Sequence, residues 1–204
     1  MTVALSSEVK ALRAELAELG ALTETGLRRD PELSARIGAL ARMLECARSC
    51  EEPARASALL RGRWRLLYSD FDLERETTLA RLSFNVLPRE PVSIVELFQE
   101  IHPALGHYDN VVSYTDARGE PGTLVMVGAY QPVDDSRIDI LFTHAVQSGP
   151  SGQVRLPIAA DWIPPIQSEI TYLDDGFRLH RSSLGSLYMF ERMDDAPIRW
   201  AREA

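Results

Sequence analysis

The hydrophobic period of this chain changes once. Through the first quarter, apolar residues recur every three or four positions: Leu5, Val9, Leu12, Leu16 and Leu19, then Leu33, Ile37, Leu40 and Leu44. That spacing paints one face of a helix. Ser6 or Ser7 can cap the first helix, with Glu8 in its first turn. Gly20 to Gly26 interrupts the stripe, and Asp30-Pro31-Glu32 restarts it with a cap, a proline at the first helical position and an acid. Residues 1–50 therefore read as a helical hairpin. A lone hairpin buries too little surface to stand alone, so its apolar face needs a partner.

Ser49 to Ser57 is a charged linker with Pro53, and after it the period falls to two. Trp64, Leu66 and Tyr68 alternate with Arg63, Arg65 and Leu67. Extended segments follow at Val92 to Ile101 and Val111 to Thr115. A hairpin follows from Thr123 to Gln131 and Arg137 to Ala145, and three short strands finish the sheet: Glu169 to Leu173, Phe177 to Arg181 and Ser186 to Glu191. About seven or eight strands with short connections point to an up-and-down barrel or a sandwich. In the last strand Leu187 and Met189 face one way and Tyr188 and Phe190 the other. Apolar residues on both faces mean cover on both sides, which the hairpin and a barrel interior can supply; a two-layer sandwich gives the same pattern. Asp174-Asp175-Gly176 offers residues that tolerate positive φ at a tight turn. Gln147 to Gln167 is Gly- and Pro-rich and holds Trp162; it reads as a lid or a plain surface loop.

Composition excludes several classes. The net charge of −8 lacks the basic face that nucleic acid requires. Lys10 is the only lysine, a bias that reads as a GC-rich bacterial genome. Cys46 and Cys50 lie four apart on one helical face, too few for zinc and badly placed for a disulfide, which fits a reducing cytoplasm. No apolar run approaches the ~20 residues of a membrane span, although peripheral membrane contact stays open. Charged residues through Met1 to Ala21 give no expectation of a signal peptide. His102 and His107 do not form a ligand pair on one helical face, and no Gly-rich phosphate loop precedes a helix. Neither metal nor cofactor is expected.

Gly62-Arg63-Trp64 opens the first strand, as in the lipocalin-type signature whose Trp packs across one barrel end. With it come "LLRGRWRLLYSD", the Gln and Asn-Val-Val of "ELFQEIHPALGHYDNVVSYTD", and the closing run "ITYLDDGFRLHRSSLGSLYMFER". Together these resemble the plastid lipid-associated protein family, PAP/fibrillin. Thr171, Tyr172, Leu173, Asp174, Arg178, Arg181 and Gly185 match that family's closing pattern. The family's R-G-D/E-x-G turn is Arg181 to Gly185 here, and no plastid transit peptide is evident. The resemblance implies a mainly β fold, a lipocalin-like antiparallel β-barrel over 58–192, against which the N-terminal helical hairpin packs; residues 193–204 read as a tail in which Trp200 can tuck back. It also implies association with a hydrophobic molecule such as an isoprenoid or a lipid.

An apolar cavity with a few polar groups is how such a ligand is held. The residues expected to line it are Trp64, Tyr68, Phe98, Tyr130, Phe142, His144, Trp162, Tyr172 and Tyr188. One of Arg178, Arg181 or Arg192 is expected to stack on Trp64. His144 shares the parity of Ile138, Ile140 and Phe142 and is the best inward polar candidate, while His180 shares a face with Arg178. Three readings follow. The first is a binder of a hydrophobic small molecule. The second is a cofactor-free cyclase or isomerase acting on a polyketide- or terpenoid-like substrate, with His144, Tyr172 or Arg178 as polar groups and Trp162 excluding water. The third is a scaffold whose hairpin docks a partner helix. Oligomeric state is not legible.

Overall fold

The computed structural model describes residues 6–47 and 49–194. Two helices lead, α1 (Ser7–Leu22) and α2 (Pro31–Cys46), and a single turn, α3 (Ser57–Leu60), precedes the sheet. The strands are β1 (Gly62–Ser69) and β2 (Glu76–Thr78), then, after the short helix α4 (Leu79–Leu82), β3 (Pro91–His102), β4 (His107–Asp116), β5 (Pro121–Pro132), β6 (Arg137–Gly149), β7 (Gly152–Pro157), β8 (Ile166–Leu173), β9 (Phe177–Ser182) and β10 (Leu187–Asp194). All pairings are antiparallel. Strands β3 to β6 and β8 to β10 run in order, and β1 joins both β10 and β3, closing an eight-strand barrel. β2 adds to β3 and β7 adds to β6 outside this ring. The barrel settles the choice between closure and a sandwich.

The helix caps fall where the sequence puts them. The Ser6 hydroxyl accepts from the Val9 amide at 3.2 Å, and the Asp30 carboxylate from the Leu33 amide at 3.1 Å. Each satisfies an otherwise orphaned donor, worth about 1 kcal/mol. The two apolar stripes are used on the barrel. Leu16, Leu19, Ile37, Ala41 and Leu44 pack on Tyr172, Phe177, Leu179, Leu187 and Met189, the outward residues of β8 to β10. That removes the free apolar face on which the scaffold reading depended.

Polar contacts fix the docking. Arg13 pairs with Asp174 at 3.0 Å, and Arg181 makes a two-point contact with Glu45 at 2.7 and 3.1 Å. Gly20 is required where α1 crosses β1, because a Cβ there would lie 2.5 Å from the Leu67 carbonyl oxygen. At Gly26, with φ +89, a Cβ would lie closer still to the Ser69 carbonyl oxygen.

Several local expectations change. Cys50 lies beyond the end of α2, so the two cysteines share no helical face. Strands β6 and β7 extend into the supposed long loop and leave residues 158–165 as its irregular part. The Asp174-Asp175-Gly176 turn uses no positive φ. It is held instead by the Asp174 carboxylate, which accepts from the Gly176 and Phe177 amides at 2.9 and 2.7 Å. Residues 195–204 of the expected tail, Trp200 among them, lie outside the described residues. Among the described residues no helix is long and apolar enough to cross a membrane.

Candidate functional site

β-strand alternation places Trp64, Leu66, Ile94, Ile101, Tyr108, Val112, Met126, Tyr130, Ile140, Phe142 and Phe190 in one buried cluster inside the barrel. At one end Trp64 is fully buried and donates from Nε1 to the Leu60 carbonyl at 2.8 Å. Two guanidinium groups lie over its ring: Arg192 at 4.6 Å and Arg178 at 4.7 Å from the centroid. The expected arginine–tryptophan stack is thus made twice. Arg192 also donates to the backbone carbonyls of Leu59, Arg61 and Asp175. It fastens α3 and the β8–β9 turn to the plug.

Arg178 is held differently. It sits on β9, has no accessible surface, and lies 4.4 Å from the Phe190 ring centroid as well as over Trp64. Nη2 donates to Gln99 Oε1 at 2.5 Å, and Gln99 Nε2 donates onward to Asn110 Oδ1 at 3.0 Å. Gln99 and Asn110 face each other in register on β3 and β4. Nε and Nη1 of Arg178 have no hydrogen-bond partner, and its electrostatic neighbours include two tyrosines and an arginine but no carboxylate. Burial lowers its pKa to about 10, so the group stays a cation at neutral pH.

The energies are unequal. A desolvated cation–π contact contributes up to about 2 kcal/mol, and the bond to Gln99 about 1.5–3 kcal/mol. Burial of an uncompensated ion costs several kcal/mol, and each unpaired donor about 1–3 kcal/mol more. Packing alone therefore does not favour an arginine here.

Two residues along the strand, on the same face, His180 is also buried. Its Nδ1 lies 3.0 Å from Ser168 Oγ, and Nε2 has no partner. Burial, and then the charge of Arg178, hold its pKa well below the usual value, so the ring is neutral. Tyr108 stacks near Tyr130 at 6.4 Å, and burial pushes its hydroxyl up to about 12. The barrel interior thus has a cationic, donor-rich end.

The other end is apolar and more accessible. Leu97, Ile166 and Tyr188 belong to the inner cluster but keep part of their surface exposed. Residues 158–165 cross this end, with Ile158 and Ile163 packed inward. Trp162 is 58% exposed and donates from Nε1 to the Phe84 carbonyl at 3.0 Å. The Phe84 ring is 5.8 Å from Phe142. Phe84 and Asn85 both hold positive φ, 53° and 64°, an uncommon conformation for a bulky residue such as Phe. A surface hollow of about 360 Å³ lies outside this end, lined by Thr78, Arg81, Phe84 and Arg89.

The PAP/fibrillin model matches residues 10–191. The chain belongs to the PAP/fibrillin family. No curated protein and no solved structure matches it. In this PAP/fibrillin chain, Trp64, Tyr130, Phe142, Tyr188 and Arg178 come together on the inner face. Tyr68 and Tyr172 do not. Bulges in β1 and β8 turn them outward beneath the helical hairpin, where Tyr172 donates to Asp174 at 2.5 Å. Phe98 lies on the opposite outer face with Val111, Val125, Val127 and Val146, under Arg63.

His144 is the clearest correction. A bulge at Thr143 shifts the β5–β6 register between Val127–His144 and Gly128–Phe142. Beyond it Ala145 joins the inner cluster and Val146 the outer one, so His144 falls on the outer side opposite Val127. Trp162 lies in the 158–165 segment at the accessible end and is exposed. The polar residues not singled out from the sequence are Gln99, Asn110, Tyr108 and Ser168. Gln99 and Asn110 did carry a signal, as the polar residues within the apolar strands quoted for the family resemblance.

Proposed function

We propose that the protein binds a hydrophobic small molecule inside the barrel, admitted at the end covered by Phe84 and Trp162. The observation that carries this reading is the asymmetry of the interior. One end is plugged by Trp64 and two arginines, and the other is covered by loop residues, Ile158 and Ile163 packed inward, beneath an exposed indole and a phenylalanine with unusual backbone. Membership of the PAP/fibrillin family supports the same class of ligand.

The test is native mass spectrometry of protein from its own host, with solvent extraction and identification of any bound mass, followed by uptake of polyene and isoprenoid probes. A stoichiometric apolar molecule, or saturable uptake that quenches tryptophan fluorescence, is the expected result. An empty protein that takes up none of the probes contradicts the reading.

The unpaired donors favour one second reading, a cofactor-free cyclase or isomerase. Preorganised N–H groups in a dry interior stabilise charge that develops on a substrate oxygen. Arg178 is the polarising group in this reading, with neutral His180 beside it. His144 and Tyr172 lie on the outer face and have no role. Two related masses that interconvert when incubated with the wild type, and not with Arg178→Met, would separate catalysis from binding.

A further inference from the structure

We infer that the ligand is an acidic amphiphile, an apolar chain or ring system ending in a carboxylate that seats against Arg178. This rests on the binding reading above and deepens it. Three features point the same way. Arg178 is a fully buried cation with no counter-charge, and Nε and Nη1 have no acceptors. A neutral carbonyl would satisfy the donors but would leave the charge uncompensated, whereas a carboxylate does both. His180 Nε2, unpartnered on the same face of β9, offers a second polar contact to the head group.

The polarity of the interior sets the direction of binding. The inner surface toward the accessible end includes Leu97, Phe142, Ile166 and Tyr188. The head group therefore goes deep and the apolar body extends toward Phe84 and Trp162. The unpaired nitrogens have almost no accessible surface. The carboxylate must therefore enter by moving a neighbouring side chain, and Phe190, against the guanidinium, is the nearest such group identified.

The experiment compares dodecanoate with dodecanol on the full chain at neutral pH, by displacement of a fluorescent polyene. Wild type is expected to bind the acid roughly 10- to 100-fold more tightly, the range that a charge-assisted hydrogen bond gives. Arg178→Met should abolish that preference by weakening dodecanoate far more than dodecanol, and Arg178→Lys should keep part of it. Equal affinities in wild type, or a preference that survives in Arg178→Met, would overturn the inference while leaving the hydrophobic binder intact. If neither molecule nor any polyene binds, both fall together. If Arg178→Met does not fold, Arg178→Gln takes its place with the same outcomes expected. A 13C-carboxyl label on dodecanoate adds an independent readout. Its signal should stay that of the ionised acid to lower pH in wild type than in Arg178→Met.

Discussion

Arg192 and Arg178 press on the same indole and do different work. Arg192 donates to three backbone carbonyls, in α3, in the link to β1 and in the β8–β9 turn. Arg178 has one acceptor, Gln99, and two nitrogens without a hydrogen-bond partner. The first is what a structural plug looks like, because each guanidinium nitrogen has an acceptor and part of the group stays near water. The second carries a cost that folding alone does not recover. Residue type and stacking geometry are alike in the two, so hydrogen-bond satisfaction is what separates a fastening residue from a waiting one.

The comparison can be broken at several points. Trp64→Ala removes the surface both arginines use and should cost about 3–5 kcal/mol in chemical denaturation, the range for a buried aromatic. A loss below about 1 kcal/mol would mean that the plug is not structural. Arg192→Met strips donors from Leu59, Arg61 and Asp175 and should cost about 1–3 kcal/mol. It should leave the acid-over-alcohol preference unchanged, and loss of that preference would blur the two roles.

His180 sharpens the contrast through pH. Its folded pKa lies well below the unfolded value of about 6.5, so below that pH the unfolded chain binds a proton that the folded chain refuses. Stability should therefore be intact above about pH 6.5 and fall as pH drops, by up to about 1.4 kcal/mol per unit. His180→Gln should flatten that slope in denaturation series between about pH 7 and 5. An unchanged slope would assign the acid sensitivity to other groups. His144→Ala should be the smallest effect, within about 0.5 kcal/mol and without change in ligand uptake, since His144 lies partly exposed on the outer face. A lost ligand would restore it to the site.

Much of the fold is legible in the sequence because it follows from periods. The 3.6-residue stripe gives the hairpin, the two-residue alternation gives the strands, and apolar residues on both faces of Leu187 to Phe190 give a last strand covered on both sides. The site is less legible because alternation holds only until a bulge intervenes. One extra residue at Thr143 moves His144 to the outside, and bulges in β1 and β8 do the same for Tyr68 and Tyr172. Such bulges leave no residue pattern that parity counting detects. Arg178 and His180 kept their shared face because no bulge falls between them, as their partners Phe190 and Tyr188 on β10 show. Gln99 and Asn110 required the register of β3 against β4 to be seen as a pair.

The most direct test of the waiting arginine is the stability of the ligand-free Arg178→Met variant against wild type, by equilibrium denaturation. Replacing a buried, uncompensated ion with an apolar residue of similar length should leave the protein as stable or make it about 1–4 kcal/mol more stable. A loss comparable to that of Arg192→Met would show that Arg178 is a second fastening residue and that its unpaired donors carry no message about a ligand.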